Sequence, residues 1–244
     1  MSIGLYTGAS QLQALEQWQS VTAHNLANSS MPGFQGSTFA LEGVQPGAFD
    51  RTLGEGPRNS MIRGSLQRSA MSGEVKVTNN PNDLAIQGEG YFSVRGDDGQ
   101  VRYTRNGEFH PNAEGALVNV EGFPLLAGGG PVQLTAQDGP FTVSQDGTIS
   151  QNGQQLGQIS VFTFDNPEAL SGFAGSSIID PLGEALPRLL ETPTINQGQL
   201  EMSNVSPMKE MISMIEISRA YEIAQKAIQQ EDERQDKAIQ TFSV

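Results

Sequence analysis

The chain has 244 residues, with 14 basic side chains against 27 acidic ones and a formal net charge of −13. That length supports one or two domains, and the acidic balance without any basic patch excludes a nucleic-acid partner. Glycine is abundant at 28 residues, and Trp18 is the single tryptophan, so the composition is that of a turn-rich β protein rather than a packed α/β enzyme.

Ser2 to Ala27 reads as a helix. Leu5, Gly8, Leu12, Leu15, Gln19, Thr22 and Leu26 fall on a three-four repeat. The stripe is thin, and its small positions suit close approach of a second helix. An ordinary surface helix fits the same pattern. Asn28, Ser29, Ser30, Pro32 and Gly33 stop it. Gln35 to Asn82 has little periodicity and reads as an extended connection with one hairpin around Gly64 to Glu74. Such a run is unusual inside a compact domain and suits ordering by neighbouring subunits.

Short strands follow from Leu84 to about Glu201. Leu84 to Ile86 and Tyr91 to Val94 flank Gly88-Glu89-Gly90. Asp97-Asp98-Gly99, Asn106-Gly107, Asp146-Gly147 and Asn152-Gly153 mark turns between further strands. Their spacing suggests a small sandwich or barrel-like domain. Ala169 to Pro193 reads as irregular, and Thr194 to Glu201 as a last strand. Ser206 then caps a helix that Pro207 opens. From Pro207 to Thr241 there are 35 residues without Gly or Pro, about 52 Å if helical.

The expected fold is therefore α+β. Long N- and C-terminal helices pair as a coiled coil, disordered before assembly, around an inserted, mainly antiparallel β domain. The divisions are 1–34 for the first helix, 35–82 for the linker, 83–201 for the β domain and 202–244 for the last helix. Leu5, Leu12, Leu15 and Leu26 are expected to meet Met211, Ile215, Tyr221 and Ile228. Apolar positions left over, among them Met211, Met214, Ile217, Ala224 and Ile228, can pack on neighbouring copies. A head-to-tail contact that does not close generates a helical tube.

Catalytic and metal chemistry find little support. His24 and His110 are far apart, no Gly-x-Ser-x-Gly elbow occurs, and no phosphate loop opens a helix within a βαβ unit. No cofactor is expected. Tyr91, Phe92, Tyr103 and Phe109 would serve as an aromatic platform in a binding module, or as core. No apolar run approaches the ~20 residues of a membrane span. Met1 to Ala14 lacks the basic and apolar regions of a signal peptide. The absence of cysteine is compatible with chance and with a chain that leaves the cytoplasm.

Several stretches carry a resemblance. Asn25-Leu26-Ala27-Asn28, with Pro32-Gly33-Phe34, resembles the N-terminal signature of bacterial flagellar rod and hook proteins. Asp83 to Phe92, and Tyr103-Thr104-Arg105-Asn106-Gly107 with Phe109, resemble the start of that family's β domain. Gly198-Gln199-Leu200-Glu201, Ser203-Asn204-Val205 and Arg219-Ala220-Tyr221-Glu222 resemble its C-terminal signature. Within the family, Gly129-Gly130-Pro131-Val132 and Asp146-Gly147-Thr148-Ile149 are similar to the proximal rod member, and Arg219 to Glu222 equally to the distal one. The resemblance implies a structural subunit of the basal-body rod, exported through the flagellar type III apparatus without cleavage. Its partners would be other rod subunits, adjoining hook-basal-body proteins and copies of itself. Its terminal helices would assemble through Leu5, Leu12, Leu15, Leu26, Met211, Met214, Ile215, Tyr221, Ala224 and Ile228, lining a central channel inside an outer layer of β domains.

Overall fold

A computed structural model of the chain describes residues 3–44, 61–69, 71–135, 138–165, 170–172, 176–179 and 185–242. The chain divides into two compact units, one made of 1–27, 37–67 and 206–244, the other of 28–36 and 68–205.

The first unit holds the helices α1 (Ile3–Ala27) and α2 (Pro207–Phe242), which pack on each other, with strands β1 (Ser37–Val44) and β2 (Met61–Arg68). Helix α2 starts as its residues dictate: the Glu210 amide donates to the Ser206 carbonyl, and Pro207 occupies a position whose amide has no helical acceptor. Beyond the end of α1, Asn25 fixes the start of β1. Its Nδ2 donates to the Ser37 carbonyl at 2.8 Å, and its Oδ1 accepts the Ser37 amide at 3.0 Å.

In the second unit, β3 (Val75–Val77) pairs with β19 (Gln199–Glu201), and β4 (Leu84–Ile86) with β18 (Ile195–Gln197). The largest sheet has six strands. Their spatial order is β15 (Ser171–Gly172), β16 (Ser177–Ile179), β6 (Val101–Thr104), β5 (Tyr91–Arg95), β14 (Val161–Phe164) and β17 (Pro187–Leu189). Smaller ladders join β7 (Phe109–Pro111) to β8 (Leu117–Asn119), and β9 (Leu126–Ala127) to β10 (Gly130–Pro131). A meander joins β11 (Phe141–Val143), β12 (Thr148–Gln151) and β13 (Gln154–Gln158). Every strand pairing described within this unit is antiparallel.

The core gathers the apolar residues of these short strands, with Leu84, Phe92, Val94, Leu117, Leu125 and Ile149 among those fully buried. A second cluster joins Tyr91, Tyr103, Ile178 and Ala185 on the six-stranded sheet. Phe92 meets Phe109 edge-on at 5.4 Å between ring centres, and Tyr103 meets Phe164 at 4.8 Å. The four aromatic residues weighed as a binding platform are therefore core. The turns use their side chains locally. Asp146 accepts both the amide and the hydroxyl of Thr148, and these bonds, the amide first, hold its carboxyl below the usual carboxylate range.

Three features depart from the strand reading. The stretch 169–193, expected to be irregular, supplies β15, β16 and β17, which flank the six-stranded sheet on both sides. The last strand is two strands, because Gly198 at φ +77° breaks it and sends its halves to β4 and β3. The hairpin expected around Gly64 to Glu74 is instead β2 paired back to β1.

Glycine is required at some turns and merely convenient at others. A Cβ on Gly107 would lie far inside van der Waals distance of the Leu84 carbonyl oxygen, whereas one on Gly153 (φ +78°) would meet open space. Gly107→Ala should lower the stability of this unit by about 3 kcal/mol or more, and Gly153→Ala by about 1 kcal/mol. Calorimetry of the two variants checks this; equal losses would contradict the close approach.

Candidate assembly surface

The two helices meet through a small apolar cluster. Leu15, Ile217 and Ala224 are buried, with Leu12, Trp18, Ala220 and Tyr221 packed around them. A Cβ on Gly8 would come within 2.7 Å of Ile228 Cγ1, so glycine lets α2 lie close to α1 at this level. The Tyr221 hydroxyl donates to Glu16 Oε1 at 3.2 Å, tying the rim of the pair.

Helix α2 has a second apolar face. Met208 is 74% exposed, Met211 and Ile212 53%, Ile215 54% and Ile223 69%. At about 100° per residue, this stripe lies on the side opposite Ile217, Tyr221 and Ala224. A two-faced apolar helix that long is not satisfied by one partner helix. Contiguous exposed side chains of this kind mark an interaction surface.

The structure redistributes the positions assigned from sequence. Leu12, Leu15, Tyr221 and Ala224 lie in the α1–α2 cluster, and Ile228 sits beside Gly8. Ile215, expected to meet α1, is on the far face together with Met211, expected both against α1 and among the positions left for neighbours, while Ile217 and Ala224, expected to be left for neighbours, are the actual contacts of α1. Met214 and Leu26 are half-buried. The side chain of Leu5 lies outside the described residues. The cause is that both faces of α2 satisfy a three-four repeat, so spacing alone does not say which face takes α1.

The motif residues of the second unit surround a buried ion pair. Arg105 Nη2 is 2.7 Å from Glu201 Oε2, with both side chains almost wholly buried. Arg105 also donates to the carbonyls of Gly90 and Gly88 and to Ser72 Oγ, while Glu201 Oε1 accepts the Gly73 amide. The Glu201 carbonyl accepts the Gly33 amide, and Gly33 (φ +67°) presses on the Arg105–Asn106 backbone, where no Cβ fits. Phe34 is buried next to it in sequence. Asn204 completes the bracket: its Oδ1 accepts the Gly36 amide, and its Nδ2 donates to the Met71 carbonyl at 2.7 Å. Ser203 Oγ accepts the Val205 amide, and the Asn28 carbonyl accepts the Met31 amide. Ala27 is exposed at the end of α1. Arg105 and Glu201 stand inside motif stretches, but no spacing in the sequence says that they meet.

No catalytic arrangement accompanies these contacts. Among the described residues, no three His, Cys, Asp or Glu side chains converge as a metal site. His24 and His110 lie on exposed surfaces. A cavity of about 240 Å³ is lined by Gln35, Ser72, Glu89, Tyr91, Arg105 and Phe164, but the guanidinium in its wall is already engaged by Glu201. No described helix is long and apolar enough to cross a membrane.

Removing one partner of a buried pair strands the other charge. Glu201→Gln or Arg105→Met should each cost about 3–5 kcal/mol of unfolding free energy. The double change Arg105→Met with Glu201→Gln should cost less than the two single changes together. Denaturant unfolding followed by far-ultraviolet dichroism measures all three; additive losses would deny the coupling.

Comparison with known proteins agrees with this picture. Residues 85–151 match the family model described as the flagellar hook protein FlgE/F/G D1 domain, and residues 196–241 match the flagellar basal body rod FlgEFG protein C-terminal model. The chain is 33% identical to the flagellar basal-body rod protein FlgF of Caulobacter vibrioides, covering 98% of each chain. It is also 33% identical to FlgF of Mesorhizobium japonicum, over 99% of this chain and 98% of the relative. Identity to the flagellar basal-body rod protein FlgG of Borreliella burgdorferi is 30%, over 95% of this chain and 96% of the relative. With its helix pair, its clasped β unit and near full-length identity to both rod members, the chain belongs to the flagellar basal-body rod protein family and is a structural, non-enzymatic subunit of the flagellum.

Proposed function

We propose that this chain is the proximal, FlgF-type rod subunit, stacking helically with adjoining rod and hook-basal-body proteins and with its own copies into a shaft that transmits torque. The observation that carries this reading is the pair of opposed apolar faces on α2. One face is filled by Leu12, Leu15 and Trp18 of α1, and the other, from Met208 to Ile223, is left for a neighbour. In the assembled rod the terminal helices form an inner coiled-coil layer around an export channel, and the β unit faces outward. The working divisions remain 1–34, 35–82, 83–201 and 202–244. The chain reaches the rod through the flagellar type III apparatus, uncleaved, and the rod crosses the periplasm.

The helix pair is thinly supported in the free subunit, since few of its described side chains are fully buried, and ordering a residue costs on the order of 1–2 kcal/mol of backbone entropy. The termini are therefore disordered until neighbours cover the second face. Amide exchange on the free chain should be fast in α1 and α2 and slow in the β unit; strong protection in Ser2 to Ala27 would refute this. FlgF-type placement has its own test. A tagged copy in purified basal bodies should sit at the ring end of the rod, and a position next to the hook would assign the chain to the FlgG type.

Leu12→Asp puts a charge beside Leu15 and Trp18. It should abolish incorporation into basal bodies while leaving the dichroism of the β unit unchanged. Trp18, the single tryptophan, reports the pairing directly: its emission should shift to the red in any assembled variant that loses it. Normal incorporation of Leu12→Asp would overturn the helix-pair reading.

A further inference from the structure

The chain contains two Asn-Gly pairs, and the fold treats them in opposite ways. Asn106-Gly107 is locked. Asn106 is 5% exposed, its Oδ1 accepts the Glu108 amide at 2.9 Å, and its own amide donates to Thr104 Oγ1 at 3.0 Å. The Gly107 carbonyl accepts the Leu84 amide at 3.0 Å, and the Leu84 carbonyl oxygen leaves no space for a Cβ on Gly107. Asn152-Gly153 is open. Both residues are exposed, and a Cβ on Gly153 would meet no neighbour. They form a two-residue turn with φ +50° and +78°, closed by the facing pair Gln151 and Gln154. Among the described residues, the Gly153 amide makes no hydrogen bond. The Asn152 side chain has one long contact, from Nδ2 to Asp138 Oδ1 at 3.4 Å.

An asparagine carboxamide followed by glycine carries its own reaction. The next amide nitrogen attacks Cγ, and glycine has no side chain to hinder the approach. The fold decides whether the two atoms can meet. At position 106, ring closure requires the carboxamide to leave the Glu108 amide inside a packed unit. At position 152 it requires only that the tip of a turn open. Strand β13, which leaves this turn, is the outer strand of its three-stranded sheet, and its ladder with β12 carries a register shift. Exposed edges of this kind open locally without unfolding the rest.

We propose that Asn152 is a site of spontaneous deamidation and that the fold protects Asn106 from the same reaction. The Gly153 nitrogen bonds to Asn152 Cγ, the Cγ–Nδ2 bond breaks, and Nδ2 leaves as ammonia with the proton given up by the Gly153 amide. Water then opens the succinimide at either carbonyl, leaving aspartate or isoaspartate at position 152. A carboxylate now stands where Nδ2 faced Asp138, and isoaspartate adds a methylene to the main chain of a two-residue turn. The adjacent Gln151 transmits the change. Its buried side chain donates to the Thr135 and Gly139 carbonyls at 2.9 and 2.7 Å and accepts the Thr135 amide at 2.9 Å. Deamidation therefore loosens the β12–β13 hairpin and the segment that Gln151 holds. The inference is independent of the assembly that the chain joins.

The test uses the purified full-length chain, incubated in mildly alkaline buffer and mapped by liquid chromatography with mass spectrometry. The peptide containing position 152 should gain about one mass unit and separate into two products. The rate should rise with hydroxide, because the attacking nitrogen reacts without its proton. In the folded chain Asn106 should convert at least about tenfold more slowly than Asn152, and in urea the two should convert at similar rates. Gly153→Ala should slow conversion at position 152 by about tenfold or more, with the far-ultraviolet dichroism of the chain retained. Three results would overturn the inference: equal rates at the two sites in the folded chain, an Asn152 that stays intact there, or a rate at position 152 indifferent to Gly153→Ala.

Discussion

One long helix with grease on two sides governs the design of this protein. Helix α2 buries Ile217 and Ala224 against α1 and turns Met208, Met211, Ile212, Ile215 and Ile223 the other way. A soluble monomer rarely leaves such a stripe uncovered. The remedy of a larger globular core is not used here: the β residues form their own clusters around Phe92, Leu117 and Ile149, none of them on the helices. The helices are thus specialised for association and the strands for self-sufficient packing. The family assignment gives this division its purpose, since a rod is an assembly of many subunits rather than a solitary fold.

The β unit meets the opposite requirement. It has to remain one rigid body, although most of its strands are only two to five residues long. Such strands provide few ladder bonds each, so side chains do the bracing. Arg105 and Glu201 bind four separated segments at one point, and Asn204 holds Gly36 and Met71 at another. All of these but the exposed Asn204–Met71 bond are buried or half-buried, where the cost of breaking a partner exceeds the net gain of forming it. Glycines at 33 and 107 allow backbones to touch where any side chain would separate them.

Much of this was legible from residue order. Asn-Gly and Asp-Gly pairs marked turns because few other residues accept positive φ, and Asn152 at φ +50° with Gly153 at φ +78° shows the reason. Ser206-Pro207 marked the start of α2 through the chemistry of helix ends. Other features were not legible. The strands within 169–193 are two or three residues long and have no room for alternation to show. The choice between the faces of α2 depends on where α1 lies, which no local pattern encodes. The Arg105–Glu201 pair spans most of the β unit in sequence and carries no spacing rule. Helix existence and turn position are local facts; partner choice is a global one.

The Arg105–Glu201 bracket also bears on the timing of folding. Gly73 and Glu201 are separated by 128 residues, and their bond is one of those that close the unit. Contacts of such long range form late, because the loop between them must be gathered first. Until β19 is free to pair with β3, Arg105 lacks its carboxylate partner and the unit cannot close.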